Sequence, residues 1–477
     1  MKNYSRRKFI KTSGLSAAAS LGVSGIVNSS CDNKFTPPSQ GEYMGGFAAP
    51  KLDIIRVAFI GVGYRGSGHL KYFGGISGTE VVAVSDLYKD NVNNAISRLE
   101  ESHGAEKVKQ ISKYWGTENK WKMMLEETKP NVVFISTNWN NHASMAIESM
   151  EKGAHVFVEV PIATTLEDMW KIIDTSEKTQ KHCMMLENVN YFRAEMMFLN
   201  MIRQNFIGKL QHAEAAYIHD LRFQMKEEDR GTGSWRTLHY ANSRGNLYPT
   251  HGLGPVAQYM NLARTEDTFK SIVSYSSPSM GRKLYAEKNY PKDHKWNKLK
   301  FENGDLNTSI IKTKLGRTIL VQWDETSPRP YSRINLIQGT KGILIGHDIN
   351  NGLYKSNNPV KIAIDGGLKG LSDSSHTWVS DKDLNDTIEK YEHPFWKRLN
   401  KKAKGSDHGG SDGIMLSRVA ECLHKGIPLD QNVYEGCFWS SVTPLSAKSI
   451  MEDGSPQNFP DFTRGNWKTT KPLEIIS

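Results

Sequence analysis

Cysteine is scarce in this chain, with four in 477 residues. Cys31 stands alone near the N-terminus. Cys183, Cys422 and Cys437 form an odd set at wide spacing, which excludes a disulfide framework and offers no metal-ligand spacing, so they read as buried thiols. There is no His-Glu-x-x-His and no clustered Cys/His set, and chemistry without a metal is expected. His219-Asp220 and Asp407-His408 are adjacent pairs with no evident partners and read as loop residues. The chain also lacks internal repeats, low-complexity tracts and any basic stripe of the kind that binds nucleic acid; Lys226-Glu227-Glu228-Asp229-Arg230 shows how its charges are mixed. No apolar run can span a bilayer. Leu15 to Val27 is only mildly apolar, short, and rich in Ser, Ala and Gly.

That stretch follows Ser5-Arg6-Arg7-Lys8-Phe9-Ile10-Lys11, and together they read as a twin-arginine export signal. Lys2, Arg6, Arg7, Lys8 and Lys11 supply half of the formal net charge of +10, and without them about +5 remains. Cys31 fits the lipid-modified first residue of a bacterial lipoprotein; the alternative is plain cleavage nearby and a spectator cysteine. Asn33 to Gly46, with Pro37-Pro38 and Gly45-Gly46, reads as a flexible tether. Residues 1–31 are therefore assigned to the signal and 32–52 to a linker. The expected destination is the periplasm, with the protein free or held to a membrane through Cys31.

The strongest pattern lies between Ile54 and Asp86. An apolar run, Ile54 to Ile60, leads into Gly61-Val62-Gly63-Tyr64-Arg65-Gly66, and a second run, Val81 to Val84, ends at Ser85-Asp86. This spacing predicts strand, glycine turn, helix and second strand. Gly61 allows the tight turn, Gly63 lets backbone approach a pyrophosphate, and Gly66 lets helix and strand pack closely. The helix N-terminus offers free N–H groups to the phosphates. Asp86, about 20 residues past the last glycine, is placed to hold ribose hydroxyls and favours NAD over NADP, because a carboxylate repels a 2′-phosphate.

From Ile54 to about Asn188 short apolar runs alternate with helical stretches, as in parallel α/β units. Val132 to Ser136, His155 to Glu159 and Cys183 to Leu186 read as strands; His142 to Met150 and Leu166 to Thr179 read as helices. After Asn188 the period changes. His212 to His219, Ser309 to Lys314, Thr318 to Trp323 and Arg333 to Gln338 alternate like half-buried strands. Gly366 to Gly413 is polar and reads as long loops, and helices around Met415 to His424 and Gly436 to Ile450 are expected to pack back on the body. The expected fold is α/β, with a parallel sheet domain over 53–188. An α+β substrate-binding domain with an open, mainly antiparallel sheet follows over 189–477.

These residues resemble the Gfo/Idh/MocA oxidoreductases, which begin with a Rossmann-type domain. Members usually carry Glu-Lys-Pro where this chain has Glu159-Val160-Pro161, and that lysine normally stands near the hydroxyl being oxidised. Within the superfamily, several features are similar to glycoside hydrolase family 109, the NAD-dependent α-N-acetylgalactosaminidases. They are Gly63-Tyr64-Arg65-Gly66, Trp139-Asn140-Asn141-His142, Val160, Asn188, Tyr217, Arg236, Tyr248-Pro249-Thr250-His251 and Tyr331. The resemblance implies a cofactor site at Tyr64, Arg65, Asp86, Trp139, Asn140, Asn141, His142, Glu159, Val160 and Asn188. It implies a sugar site at Tyr217, Arg236, Tyr248, Pro249, Thr250, His251 and Tyr331, taking a glycan with a terminal N-acetylhexosamine. Open sheets in this superfamily often pair between subunits, which makes a homo-oligomer an expectation.

Ordinary glycosidases use two flanking carboxylates, and with 51 acids in the chain no such pair is singled out. The resemblance implies another route: oxidation at C3 of the sugar, elimination across C2 and C1, addition of water, and reduction, with retention and no net redox. His251 is the first choice for proton transfer, since imidazole titrates near neutral pH, with Tyr248 acting beside it. Arg236 can hold sugar hydroxyls or the N-acetyl carbonyl through its planar donors; its alternative is a surface ion pair. Two rival readings stand: an NAD-dependent sugar dehydrogenase, against which Val160 speaks, and a tethered sugar-binding protein that keeps NAD structurally.

Overall fold

Strand β1, Ile55–Ile60, is apolar at nearly every position because both of its faces are covered. Ala58 and Ile60 enter one hydrophobic cluster, while Val57 and Phe59 enter the other. A computed structural model describes residues 39, 41–349, 358–367, 376–403 and 405–475. In it, five strands join β1 in one parallel sheet: β2 Thr79–Asp86, β3 Ser112–Trp115, β4 Val132–Ile135, β5 His155–Val158 and β6 Cys183–Met185. The order is β3-β2-β1-β4-β5-β6, so the winding reverses between β1 and β4. Ligands of such sheets bind at that reversal, outside the carboxyl ends of the strands.

The second sheet has eight strands. They are β7 Leu210–Ile218, β8 Phe269–Ser276, β9 Asn307–Thr313, β10 Thr318–Asp324, β11 Leu336–Gly339, β12 Gly342–Ile345, β13 Lys361–Ile364 and β14 Gln457–Asn458. Their order is β13-β12-β11-β7-β10-β9-β8-β14. Only the β7–β10 pair is parallel, so the sheet is mixed and mostly antiparallel. The strand expected from Arg333 begins instead at Leu336. Ile334 and Asn335 take left-handed backbone conformations (φ 59° and 55°), which breaks the extended run and leaves Arg333 in a loop.

Two expectations are corrected. The polar stretch 366–413 is not all loop: helices run over Asp381–Tyr391 and Pro394–Ala403. Their few apolar residues, among them Ile388, Phe395 and Trp396, are buried, and such sparse anchors among polar residues hide the helical period. The linker is not a free tether over its described part. Met44 and Ala49 are buried, Tyr43 stacks on Tyr434 at 4.8 Å, and the Met44 N–H donates to the Tyr434 hydroxyl. The signal, Cys31 and residues 32–38 lie outside the described residues. Cys183, Cys422 and Cys437 are buried free thiols. No helix among the described residues is long and apolar enough to cross a membrane.

The C-terminal helices tie the halves together. Ser411–Lys425 packs on the Tyr64–Gly74 helix and the Asn188–Tyr191 turn, and Val433–Met451 packs on β8 and on the Leu166–Thr179 helix.

Candidate active site

The glycine turn between β1 and the Tyr64–Gly74 helix is built by contact. Gly61 has φ +80°, and a Cβ there would lie 2.6 Å from the Ser136 carbonyl oxygen. A Cβ on Gly66 would lie 1.9 Å from the Gly61 carbonyl oxygen, which forces glycine where helix and strand touch. Gly63 differs: its Cβ would meet nothing nearer than 3.7 Å, so protein leaves the space over the turn open. No side chain caps this helix, and its first turn carries no acid. The early N–H groups and the positive helix end are thus available to an anion. Asp86, at the end of β2, accepts from the Val62 N–H (2.9 Å), the Tyr88 N–H (3.0 Å) and Asn91 Nδ2 (3.0 Å). It braces the turn and keeps acceptor capacity on Oδ2 for a hydroxyl. These residues fit a dinucleotide. Tyr64 is 83% exposed.

The Arg65 side chain points away from the turn. Its Nε donates to Glu159 (2.9 Å) and its Nη1 to Asp412 (2.6 Å), so its backbone N–H, in the free first turn, is the group left for a phosphate. Glu159, at the end of β5, also meets His69 Nε2 at 2.6 Å. Burial pushes the Glu159 carboxyl up, but Arg65 and His69 outweigh it and hold it well below the usual range. Asn188, at the end of β6, donates to Asp412 at 2.7 Å. His142 is fully buried, with Nδ1 2.7 Å from the Pro161 carbonyl oxygen and Nε2 3.2 Å from that of Thr137. It fastens its helix to the Glu159-Val160-Pro161 segment; Val160 is buried beside it. Asn140 is exposed and Asn141 half-buried on the same helix.

His251 sits where the two sheets meet because two glycines let its helix approach both. A Cβ on Gly252 would lie 2.5 Å from the Ala216 nitrogen of β7, and one on Gly254 would lie 3.0 Å from Glu187 Cγ at the end of β6. Pro249 precedes the helix, Thr250–Tyr259, and the Tyr248 N–H is held by Asn246. His251 Nδ1 lies 2.7 Å from Glu187 Oε1, and that carboxylate is fully buried. The pairing assigns the proton on Nδ1 and leaves the Nε2 lone pair free. The Tyr217 ring lies 4.8 Å from Tyr248 and 5.2 Å from His251, with Tyr331 at 6.0 Å. Burial raises all three phenols, so they are hydroxyl donors at neutral pH.

Tyr331 accepts from Arg333 Nη1 (2.9 Å), which is itself held by Glu195. Arg236 lies beside the faces of Trp139 (5.0 Å), Tyr248 (5.2 Å) and Trp235 (5.6 Å). Its nearest carboxylate, Glu325 Oε1, is 3.5 Å from Nη1, too long for a strong hydrogen bond. Arg236 Nε, Glu325 Oε1, Glu187 Oε2 and Thr250 Oγ1 are buried without hydrogen-bond partners. Such orphaned polar atoms gathered round one aromatic pocket mark where a polar ligand fits.

The structure therefore brings Tyr217, Arg236, Tyr248, Pro249, Thr250, His251 and Tyr331 together, with Trp139 beside Arg236 and Tyr248. It adds Glu325, His69 and Asp412, which sequence reading missed, and it pairs Glu187, a residue that the end of its strand already places beside Asn188 and the cofactor, with His251. Both His-Asp pairs lie in connecting segments, as expected, but they have partners: His219 Nδ1 lies 3.1 Å from the Tyr217 hydroxyl, His408 Nδ1 lies 2.9 Å from Asp412, and Asp220 pairs with Arg222. Nothing local in the sequence pairs these residues, which come from distant segments. Among the described residues no group of three or more His, Cys, Asp and Glu could hold a metal ion.

The profile of the oxidoreductase family with an NAD-binding Rossmann fold, Gfo/Idh/MocA, matches residues 55–187, and that of the glycosyl hydrolase 109 C-terminal domain matches 191–469. Glycosyl hydrolase family 109 protein 1 of Akkermansia muciniphila is 51% identical over 99% of both chains. The chain belongs to glycosyl hydrolase family 109. A family 109 protein of Shewanella pealeana is 49% identical over 99% of both chains. Solved structures share the fold at low identity. A levoglucosan dehydrogenase in complex with NADH is 16% identical, with TM-score 0.61 over 85% of this chain and 99% of that one. An NAD binding oxidoreductase from Klebsiella pneumoniae is 13% identical, with TM-score 0.63 over 85% and 99%. The family 109 chain is thus an enzyme of the glycosidase class on an NAD-binding Rossmann domain.

Proposed function

We propose that this protein removes terminal α-linked N-acetylgalactosamine by an NAD-dependent sequence of oxidation, elimination, addition and reduction, with retention at C1. The observation that carries the reading is the Glu187–His251 pair, set at the carboxyl end of β6 between the cofactor crevice and the tyrosine pocket. Gly61, Gly63 and Gly66, the first-turn N–H groups and Asp86 would hold the dinucleotide. NAD held there would supply the hydride acceptor and donor for C3 of the sugar, with no net redox.

The protein's own work is proton transfer and positioning. A ketone at C3 acidifies the C2 proton, so a base of moderate strength suffices. His251 Nε2, free because Nδ1 is bound to Glu187, takes that proton as the C1 substituent leaves, exchanges it with solvent, and delivers a solvent-derived proton to C2 after water adds at C1. Glu187 stabilises the imidazolium formed in between, as an ionised partner does for a catalytic histidine. Tyr248 and Tyr217, kept protonated by burial, donate to sugar oxygens. Arg236 offers its unsatisfied Nε donor to the N-acetyl carbonyl or a hydroxyl. Val160 leaves no lysine at the position where sugar dehydrogenases of this fold usually carry one.

Nitrophenol release from a panel of aryl α- and β-glycosides tests the reading, with no cofactor added and absorbance followed at 340 nm. Release from the α-N-acetylgalactosaminide without net NADH is the expected result. No release, with NADH accumulating from free sugar and NAD⁺, would replace the hydrolase by a sugar dehydrogenase. Export by the twin-arginine route and lipid attachment at Cys31 belong to the same reading; labelled fatty acid that fails to enter the wild type, or enters Cys31→Ala equally, would remove the anchor.

A further inference from the structure

Two residues on the cofactor side, Arg65 and Asn188, share one carboxylate from the far end of the chain. Asp412 Oδ2 accepts from Arg65 Nη1 (2.6 Å), and Oδ1 accepts from Asn188 Nδ2 (2.7 Å) and, more weakly, from Arg65 Nη2 (3.3 Å). His408 completes the set on Oδ2 at 2.9 Å. The Asp412 side chain is 4% exposed. It occupies the first turn of the Ser411–Lys425 helix, where the helix end favours an anion.

The helix is held there by close packing. A Cβ on Gly413 would lie 2.8 Å from the Tyr72 ring of the Tyr64–Gly74 helix and 2.7 Å from Ser406 Oγ. The glycine lets the C-terminal helix approach the helix that begins at the glycine turn, which puts Asp412 opposite Arg65. Through Arg65 the contact continues to Glu159 at the end of β5 and on to His69. Asp412 therefore joins the glycine-turn helix to the carboxyl ends of β5 and β6. All of these contacts lie outside the carboxyl ends of the strands, the side on which ligands of such sheets bind.

We propose that Asp412 is a positioning residue for the dinucleotide: the C-terminal segment completes the NAD site and sets how long NAD stays bound. Asp412 fixes the Arg65 fork and the Asn188 amide, and so fixes the turn and the β6 end that would touch the cofactor. The inference rests on the NAD reading above. It gives the C-terminal helix a task beyond packing, which matters for an enzyme whose cofactor is recycled in place.

The test measures NAD content of the purified full-length protein after dialysis, and the rate at which preloaded NAD is lost to a scavenging dehydrogenase, in wild type, Asp412→Asn and Asp412→Glu. Circular dichroism and the thermal midpoint are recorded alongside. Loss of one charged hydrogen-bonded contact predicts release about 10- to 100-fold faster in Asp412→Asn, with Asp412→Glu recovering part of it. If Asp412→Asn does not fold, Asp412→Glu carries the comparison, with intermediate release expected. A folded Asp412→Asn that holds and releases NAD like the wild type, or an Asp412→Glu no different from wild type when it alone folds, would overturn the inference and leave the NAD reading intact. A wild type that neither retains nor binds NAD would overturn both.

Discussion

Glu187→Gln isolates the central contact of the proposed mechanism. Glutamine keeps the size and one acceptor for His251 Nδ1, so the perturbation is loss of charge beside the imidazole. The contact is 2.7 Å between heavy atoms, and Glu187 is fully buried. With charge centres about 4 Å apart and an effective dielectric of about 20, a full imidazolium gains about 4 kcal/mol from the carboxylate. A transition state with half the proton transferred gains about 2 kcal/mol. The fall in kcat should therefore lie between about 30-fold and about 1000-fold, at about 1.36 kcal/mol per factor of ten. KM should change little, because Glu187 faces His251 rather than the sugar. The assay is aryl α-N-acetylgalactosaminide hydrolysis at saturating substrate, with NAD content and thermal midpoint checked on the same preparation. A folded, NAD-loaded Glu187→Gln with more than half of the wild-type kcat would refute the role given to the pair.

Arg236→Lys should lower kcat/KM by about 10- to 100-fold, chiefly through KM, since lysine cannot supply the planar donors and a charged hydrogen bond is worth about 1.5–3 kcal/mol. The loss should shrink for substrates lacking the N-acetyl group. Gly66→Ala places a Cβ 1.9 Å from the Gly61 carbonyl oxygen, so the purified variant should carry no NAD by HPLC of the acid extract. Acid stability should be set early by two histidines. Burial lowers His155 to about 3 and His393 to about 4, whereas both titrate near about 6.5 in the unfolded chain. The unfolded state thus binds more protons between those values, so stability is complete above about pH 6.5 and is lost as pH falls toward about 4. Each pH unit costs about 1.4 kcal/mol per histidine. Thermal midpoints between pH 7 and pH 5 should fall accordingly, and His393→Asn, which keeps an acceptor for the Phe395 N–H, should flatten the slope; an unchanged slope contradicts the assignment.

The parallel sheet was legible because its strands are buried on both faces and so read as continuous apolar runs, as Ile55–Ile60 and Val132–Ile135 do. The helix Leu166–Thr179 was legible from its place between two apolar strands in the alternating α/β pattern, and the structure adds the Thr165 cap. Short edge strands such as Lys361–Ile364 and Ser112–Trp115 were not, since four residues carry little pattern. The helices at Asp381–Tyr391 and Pro394–Ala403 hid behind their charged faces. At the site, residues within one motif could be found, as with Tyr248 and His251. Their partners could not: Glu187 is 64 residues from His251, and Asp412 is 347 from Arg65, so only the fold pairs them.

The most direct measurement is hydrolysis of an aryl α-N-acetylgalactosaminide in D₂O, with NMR of the released sugar. The account predicts deuterium at C2 and initial release of the α anomer, without net NADH. Aryl release at full rate with only protium at C2 would contradict it and point to direct displacement at C1.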